Sequence, residues 1–369
     1  MANKGKRKKI NKYIAGLDGL RAIAVSLILL YHLFPHFFKG GFIGVSLFFV
    51  LSGYLVTWTS LRASEIKKYT IKDFYLKRIK RIYPLLFMVI FFSAGIYWFI
   101  DPMILDGRKK EILAIFLGFD NYFQIFKNAD YFTKAISASP YTHLWAIAIE
   151  MQFYLIWPLL FAIYQKLRKM KYKNYANVLW LFFIVISIIV IQFTYHEQQV
   201  MPAYYGFISR MSALFIGVLL AIWQRSAKRN SIFFFTSPIY VLILSVISLI
   251  MVFIMHGQNA WTYRIGLLCS SLLAAEWIRL VANKDSGIGQ KLEIPIFKWI
   301  SKYSYEIYLW QYPVLFFFQF YHLDHFPLMW VIMVVVILFL AYYSHYFIDS
   351  ILYILFGFRR GNYEKNKSA

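Results

Sequence analysis

The sequence LDGLRAIAVSLILLYHLF, from Leu17 to Phe34, decides the fold class. It is almost continuously apolar and close in length to the roughly 20 residues that a helix needs to cross the hydrocarbon core of a bilayer. The stretch nevertheless contains three titratable residues, Asp18, Arg21 and His32. Because ionisable groups inside a membrane are costly, each of the three is a candidate functional residue.

Similar apolar stretches recur along all 369 residues. Hydrophobic residues make up 60% of the chain and charged residues only 15%, whereas soluble domains have about 45–50% and about 25%. These proportions exclude a disordered protein and a cytosolic enzyme. The single cysteine, Cys269, lies in an apolar stretch and excludes a disulfide scaffold. The sequence therefore predicts an all-α, multi-pass protein of the cell membrane.

Ten stretches are long enough to span a bilayer: 17–34, 42–61, 82–100, 141–164, 176–194, 203–224, 232–254, 261–281, 299–321 and 327–357. If both termini are cytoplasmic and segment 111–126 does not cross, the inner segments hold 29 Lys and Arg residues and the outer segments hold six. The positive-inside rule favours this arrangement. We therefore predict about ten spans, with an outer loop 101–140 that contains a re-entrant or interfacial piece.

The same arrangement divides the chain into a basic cytoplasmic N-terminus (1–16), one transmembrane domain (17–357) and a basic cytoplasmic tail (358–369). The net charge of +23 is then a property of loops that face anionic membrane lipid, and it does not indicate a nucleic-acid partner. No metal site or tightly bound cofactor is predicted. His32 and His36 are spaced as metal ligands can be, but Pro35 separates them and no third ligand is near.

Two pairs of polar residues lie on single faces of predicted helices. Asp18 and Arg21 are three residues apart, which fits either a functional pair or a structural ion pair. His143 and Glu150 are seven residues, or about 10 Å, apart on another span. An apolar setting suits a carboxyl group to proton transfer or to orienting an imidazole, although Glu150 could instead bond a neighbouring helix.

On the cytoplasmic side, RIKRIYP (78–84) places Arg78 and Arg81 on one helical face. Two guanidinium groups suit a phosphate-bearing ligand, but a basic cytoplasmic loop explains them equally well. Further charges fall within the predicted spans, and we interpret most of them as structural pairs: Arg210, Glu276, Arg279, Glu306 and Asp349.

Five motifs in order resemble the integral-membrane acyltransferase-3 family along nearly the whole chain. They are the first span with Arg21 and His32, GFIGVSLFFVLSGY (41–54), RIKRIYP (78–84), HLWAIAIEMQFYLIWP (143–158) and SYEIYLWQYP (304–313). Two positions depart from the family pattern. Gln311 stands where many members have His, so we assign it no acid–base role, and Asp349 stands where Glu is common.

The resemblance implies an O-acyltransferase of the bacterial plasma membrane. In this interpretation acetyl-CoA, or another short acyl-CoA, is the cytoplasmic donor, and the acceptor is a hydroxyl of an extracytoplasmic glycan such as peptidoglycan. His32, Glu150, Arg21 and His143 are then the catalytic candidates. The acyl-CoA-binding candidates are Arg78, Arg81, Ser52 and Tyr54, and the supporting candidates are Asp18, Tyr305 and Glu306. The small residues of the LSGY motif would also allow a close approach between helices.

Many Gram-positive members of this family carry a further span and an extracellular serine-esterase-like domain. This sequence ends at Ala369 without them, so it is either a stand-alone member or the membrane half of a longer protein. A different class also stays open, because spans with buried charges fit a proton-coupled transporter or a flippase of a lipid-linked or small exported substrate. We detect no inverted repeat, which many carriers have.

Overall fold

A computed structural model describes residues 14–128, 132, 139–170, 173–226, 236–283, 286–323 and 326–356. Residues 1–13 and 357–369, which include most of the predicted basic N-terminus (1–16) and all of the predicted basic tail (358–369), lie outside the described residues, as does part of loop 101–140. Within the described ranges the protein has no β-strand, only an isolated bridge between His196 and Gln199. The predicted all-α fold is confirmed.

Fifteen α-helices account for most of these residues. They are α1 (Leu17–Leu33), α2 (Ile43–Glu65), α3 (Ile71–Ile100), α4 (Lys109–Leu117), α5 (Asp120–Phe126), α6 (Trp145–Lys169), α7 (Val178–Thr194), α8 (Met201–Tyr205), α9 (Phe207–Ser226), α10 (Pro238–Ile254), α11 (Leu267–Ala282), α12 (Ile288–Lys291), α13 (Pro295–Lys302), α14 (Ser304–Phe320) and α15 (Pro327–Phe356). Short 3-10 turns lie before α4, α6 and α7, and a π turn (Thr262–Gly266) leads into α11.

Seven helical segments of the described chain are long and apolar enough to cross a membrane. They are Ile43–Glu65, Ile71–Ile100, Thr142–Lys169, Tyr175–Thr194, Met201–Ser226, Thr262–Ala282 and Leu328–Ile354. The other three predicted spans correspond to α1, α10 and α14, which have 17 residues each, the lower limit for crossing. The protein is therefore a multi-pass membrane protein, and the count of ten spans stays a prediction.

The third helix begins earlier than the predicted span. Thr70 caps its first turn, accepting a hydrogen bond from the Asp73 backbone N–H at 3.0 Å, and the helix runs without a break through the basic residues to Ile100. This cap satisfies one of the free N–H groups that every helix start carries. As a result, Arg78 and Arg81 lie on a rigid helix rather than in a loop.

Helices α2, α6 and α9 run in the same direction. Near their ends, Gln165 of α6 donates to Ser64 of α2 at 3.2 Å, and Arg225 of α9 is paired with Glu65 of α2. Helix α1 runs the opposite way, since Ala24 and Ile28 towards its end pack on the start of α2. We call the end of the bundle where α1 begins the basic end, and the end where it finishes the histidine end.

The segment 109–126 forms two short helices that are broken at Gly118, whose φ is +75°. With nine and seven residues, at 1.5 Å per residue, neither is long enough to span a bilayer. Its polar residues face inward. Asn121 donates to the Tyr205 carbonyl at 3.0 Å, and Gln152 of α6 donates to the Gly118 carbonyl and to Asn121 Oδ1, both at 2.7 Å. These bonds hold the segment against α6 and α8.

Candidate active site

Two buried histidines meet at the histidine end of the bundle. His32, near the end of α1, is 8% exposed, and His143, in the turn before α6, is fully buried. Tyr312 of α14 lies between them, with ring centroids 5.2 Å from His32 and 5.0 Å from His143. Gln311 of the same helix lies beside the His32 imidazole. We call these four residues and Tyr308 the histidine cluster.

Tyr308 fixes the position of this cluster on α14. Its hydroxyl donates to the backbone carbonyl of His143, and its ring lies 5.2 Å from the His143 ring. Since Tyr308 and Tyr312 are one helical turn apart, both face His143 from the same side. Sequence reasoning missed both tyrosines, although their i,i+4 spacing in SYEIYLWQYP was the available signal.

A second group of polar side chains surrounds Glu150, two turns of α6 further from the histidine end. Ser52 of α2 donates a hydrogen bond to Glu150 Oε1, and Tyr154 donates to Oε2 at 3.4 Å. The Arg78 guanidinium of α3 stacks over the Tyr154 ring, 4.8 Å from its centroid. We call Ser52, Arg78, Glu150 and Tyr154 the glutamate cluster, and Arg81 lies within electrostatic reach of its tyrosine.

The two clusters adjoin each other along α6 and α14. His143 and Glu150 do not contact each other, but Tyr308, which bonds to the first, also interacts electrostatically with the second. Polar and aromatic side chains of the two clusters therefore follow one another along the bundle, from Arg78 to His32. This series brings together residues of α1, α2, α3, α6 and α14.

The first helix carries its own ion pair towards the basic end. Arg21 Nη1 lies 3.1 Å from Asp18 Oδ1, as their spacing predicts, and Ser301 donates to the same carboxylate oxygen at 3.2 Å. Arg21 and His32 are eleven residues apart, about 16 Å along the helix. The pair ties α1 to α13, and its carboxylate offsets the positive charge of Arg21.

Three other predicted residues lie apart from these clusters. Tyr54 faces α9, donating to Gln224 Oε1 at 2.7 Å, and not the side of α2 that carries Ser52. Tyr305 donates to the Ile82 carbonyl at 3.1 Å and so joins α14 to α3. Glu306 Oε1 is hydrogen-bonded to His345 Nδ1 of α15 at 2.9 Å.

His345 also supplies the partner of Asp349. Its Nε2 lies 3.8 Å from Asp349 Oδ2, one turn further along α15. A single buried imidazole thus bridges carboxyl groups of α14 and α15. Sequence reasoning did not single out His345, although its i,i+4 spacing to Asp349 was visible.

A pair of buried carboxyl groups lies outside the spanning helices. Gln124 Nε2 donates to Glu111 Oε1 at 2.9 Å and to Asp120 Oδ1 at 3.0 Å, and both acids are at most 1% exposed. Burial raises the pKa of Glu111, and burial together with the neighbouring Glu111 raises the pKa of Asp120 well above its usual value. The arrangement favours protonated acids.

The chain is similar in sequence to a family of known proteins. The acyltransferase domain model of the acyltransferase-3 family matches residues 14–346. The chain is 32% identical over 326 residues to "O-acetyltransferase OatA" of Staphylococcus aureus, covering 85% of this chain and 52% of that protein. It is 33% identical over 314 residues to "Putative peptidoglycan O-acetyltransferase YrhL" of Bacillus subtilis, covering 83% and 49%.

The chain spans about half the length of these relatives. No solved structure is significantly similar to it. The family match covers both clusters and all five motifs, from the first helix into α15. The protein belongs to the acyltransferase-3 family.

Proposed function

We propose that the protein transfers an acetyl or other short acyl group from cytoplasmic acyl-CoA to a hydroxyl of an extracytoplasmic cell-wall glycan. The observation that carries the proposal is the series of side chains from the glutamate cluster to the histidine cluster. Family membership and the names of the peptidoglycan O-acetyltransferase relatives support the reaction class.

The proposed topology has ten spans with both termini in the cytoplasm. It makes α1, α10 and α14 crossing helices and places the basic end of the bundle inside. The distribution of Lys and Arg supports this orientation. The histidine cluster then faces the outside, where the acceptor is, and Arg78 faces the side from which acyl-CoA arrives.

In this scheme Arg78 and Arg81 hold the phosphates of the donor. Arg78 suits this role because stacking on the Tyr154 ring restricts its side chain, and because a planar guanidinium matches the geometry of a phosphate. The pantetheine arm would then pass Ser52 and Glu150 on its way to His32. Arg21, already paired with Asp18, would stabilise this route from the α1 side, and Tyr305 and Glu306 would hold α14 in place.

His32 is the proposed general base. Its imidazole nitrogen would take the proton of the acceptor hydroxyl while the hydroxyl oxygen attacks the thioester carbonyl carbon. The C–S bond then breaks, and the leaving thiolate receives the proton back from the imidazolium. A route in which His32 itself carries the acyl group uses the same residues. Tyr312 would hold the His32 ring, and His143 would support Tyr312 from its other side.

The acceptor is either the glycan itself or a serine-esterase-like domain or partner that passes the acyl group on. Both acceptors must present a hydroxyl at the histidine end. Supplying a glycan and a serine-esterase-like protein in turn distinguishes the two possibilities.

The test uses protein in proteoliposomes with acetyl-CoA labelled in the acetyl group. Wild type should release label to water or to a sugar acceptor. His32→Ala should lower that rate by about 10²–10⁴-fold. His196, which is exposed on the loop after α7, supplies the matched control, and His196→Ala should leave the rate unchanged.

Two outcomes would contradict the proposal. Folded His32→Ala with wild-type turnover would remove the assigned base. The second outcome is that wild type leaves the thioester intact, both with sugars and with a serine-esterase-like acceptor, but moves a glycan precursor across the bilayer. The protein would then be a transporter.

A further inference from the structure

Arg210 is a buried charged residue that belongs to neither cluster. It lies one turn into α9 and is 3% exposed. Of the charges interpreted mostly as structural pairs, Glu276 and Arg279 are hydrogen-bonded to each other at 2.8 Å, and Arg210 is the exception. Within the described residues no carboxylate oxygen lies within 4.0 Å of the Arg210 nitrogens.

The neighbours of this guanidinium do not neutralise its charge. Nη2 donates to the Ser46 hydroxyl at 3.3 Å, and Nε has no hydrogen-bond partner. The rings of Tyr204 and Phe49 lie 5.2 Å and 5.7 Å from its central carbon. Aromatic faces attract a cation, but a buried charge is normally paired, because burying it alone is energetically unfavourable.

Arg210 also lines a small cavity between α7, α9, the π turn and α11. The polar part of the lining consists of Ser209, Ser212, Ser271, Tyr263 and a second guanidinium residue, the exposed Arg264. Tyr263 and Ser271 already donate their hydroxyl protons to the Gly257 and Leu267 carbonyls, so it is the two positive charges that favour an oxygen-rich anion in this cavity. The lining therefore suits the counter-anion that the buried charge of Arg210 lacks.

The cavity lies at the histidine end. Helix α9 begins there, and α7 finishes there, because Thr194 near its end shares a hydrogen bond with Ser209 at 3.2 Å. Tyr204 connects the cavity to the histidine cluster. Its ring contacts the Arg210 guanidinium, and a series of ring contacts leads from Tyr204 through Phe42 and Tyr31 to His32.

We infer that Arg210 binds an anionic group, a carboxylate or a phosphate, carried by the glycan acceptor. This inference rests on the proposed function and narrows it to acidic glycans. A glycan is favoured over a lipid headgroup because Arg210 is buried in the bundle, away from the surface that lipids cover, and because the serine hydroxyls around it suit sugar hydroxyls.

The test compares three sugars as acceptors for labelled acetyl-CoA: glucuronate, glucose 1-phosphate and glucose. Wild type should use at least one of the two anionic sugars with a kcat/KM at least tenfold above that for glucose. Arg210→Gln should reduce that ratio by about tenfold or more, since hydrogen bonds to charged groups have this magnitude. Arg210→Lys should retain part of it.

Arg225 on the same helix, paired with Glu65 at the basic end, provides the matched control, and Arg225→Gln should keep the wild-type ratio. A binding measurement does not depend on the variants' folding. The anionic sugar should raise the thermal unfolding midpoint of wild-type protein, and glucose at the same concentration should not.

The inference is overturned if wild type does not distinguish anionic from neutral sugars by either measurement, or if Arg210→Gln keeps the wild-type ratio. It is also overturned if phosphatidylglycerol vesicles, but not phosphatidylcholine vesicles, abolish the sugar-induced stabilisation, because the anion is then a lipid headgroup. Turnover of acetyl-CoA by wild type without any anion preference would leave the proposed acyltransferase intact and refute only this inference.

Discussion

The closest helix contact beside the candidate site depends on two glycines, and their replacement gives a sharp prediction. A Cβ atom added at Gly53 of α2 would lie 2.8 Å from the Leu214 carbonyl carbon and nearer still to its oxygen. A Cβ added at Gly217 of α9 would lie 2.8 Å from the Tyr54 nitrogen. Both clashes are with backbone atoms, so no side chain can rotate to relieve them.

The size of the effect follows from these distances. Ordinary contacts to a Cβ atom begin at 3.4 Å, and the carbonyl oxygens of Leu214 and Val50 lie nearer to the added atoms than 2.8 Å, so the two helices must separate by more than about 0.6 Å at either site. Overpacking of this kind costs about 1–3 kcal/mol. Gly→Ala in a helix interior otherwise gains up to about 1 kcal/mol, which lowers the net cost only in part.

The assay is thermal unfolding of detergent-solubilised protein, with Gly95→Ala as the matched control. Gly95 lies inside α3, and a Cβ there has no atom within 4 Å, so this variant should be as stable as wild type or more stable. Gly53→Ala and Gly217→Ala should each unfold at a lower temperature. The double variant should lose less than the sum, since one separation relieves both clashes. Equal stability of the three single variants would refute the close contact.

Three further predictions concern titratable groups. Asp120→Asn should stabilise the protein relative to wild type, and increasingly so as the pH rises from about 4. The raised pKa of Asp120 makes the folded wild type prefer the protonated acid, so wild type loses stability as the pH rises and that acid ionises. Unfolding midpoints that change in parallel with pH for both proteins would contradict this. Arg78→Gln should raise the KM for acyl-CoA several-fold, whereas Lys77→Gln, exposed on the same helix, should not; equal KM values would return Arg78 to a topological role. Glu306→Gln weakens the hydrogen bond to His345, which should cost about 1–3 kcal/mol of the free energy of unfolding and so lower the unfolding midpoint. An unchanged midpoint would show that this bond does not stabilise the contact of α14 with α15.

Local features of the fold could be predicted because they depend on neighbours in the sequence. The apolar stretches predict helices wherever their length is sufficient. The Asp18–Arg21 pair follows from a three-residue spacing, and the contact of Gly53 with another helix follows from its small size in the LSGY motif. What the motif does not contain is the identity of the partner, Leu214, which lies far away in the chain.

The interior of the site could not be predicted, since it is assembled from distant segments. Nothing in the first span indicates that His32 meets Tyr312 of α14. The interruption by Asp120 and Asn121 predicted a re-entrant or interfacial piece, but it did not indicate that these two residues are buried. Their hydrogen-bond partners are Gln124 within the segment and Gln152 on α6, and the second of these is distant in the sequence.

The helix contact at Gly53 and the chemistry at Glu150 are physically linked. Ser52 and Gly53 are adjacent on α2, so they point about 100° apart around the helix. Gly53 sets the distance from α2 to α9, while Ser52 holds the Glu150 carboxylate of α6. A methyl group at Gly53 that moves α2 away from α9 must therefore also move Ser52 relative to Glu150. Gly217→Ala separates the same two helices, so it must also move Ser52 relative to Glu150. We therefore expect Gly53→Ala and Gly217→Ala both to lose more transfer activity than Gly95→Ala, and wild-type activity in the folded variants would show that the glutamate cluster tolerates movement of α2.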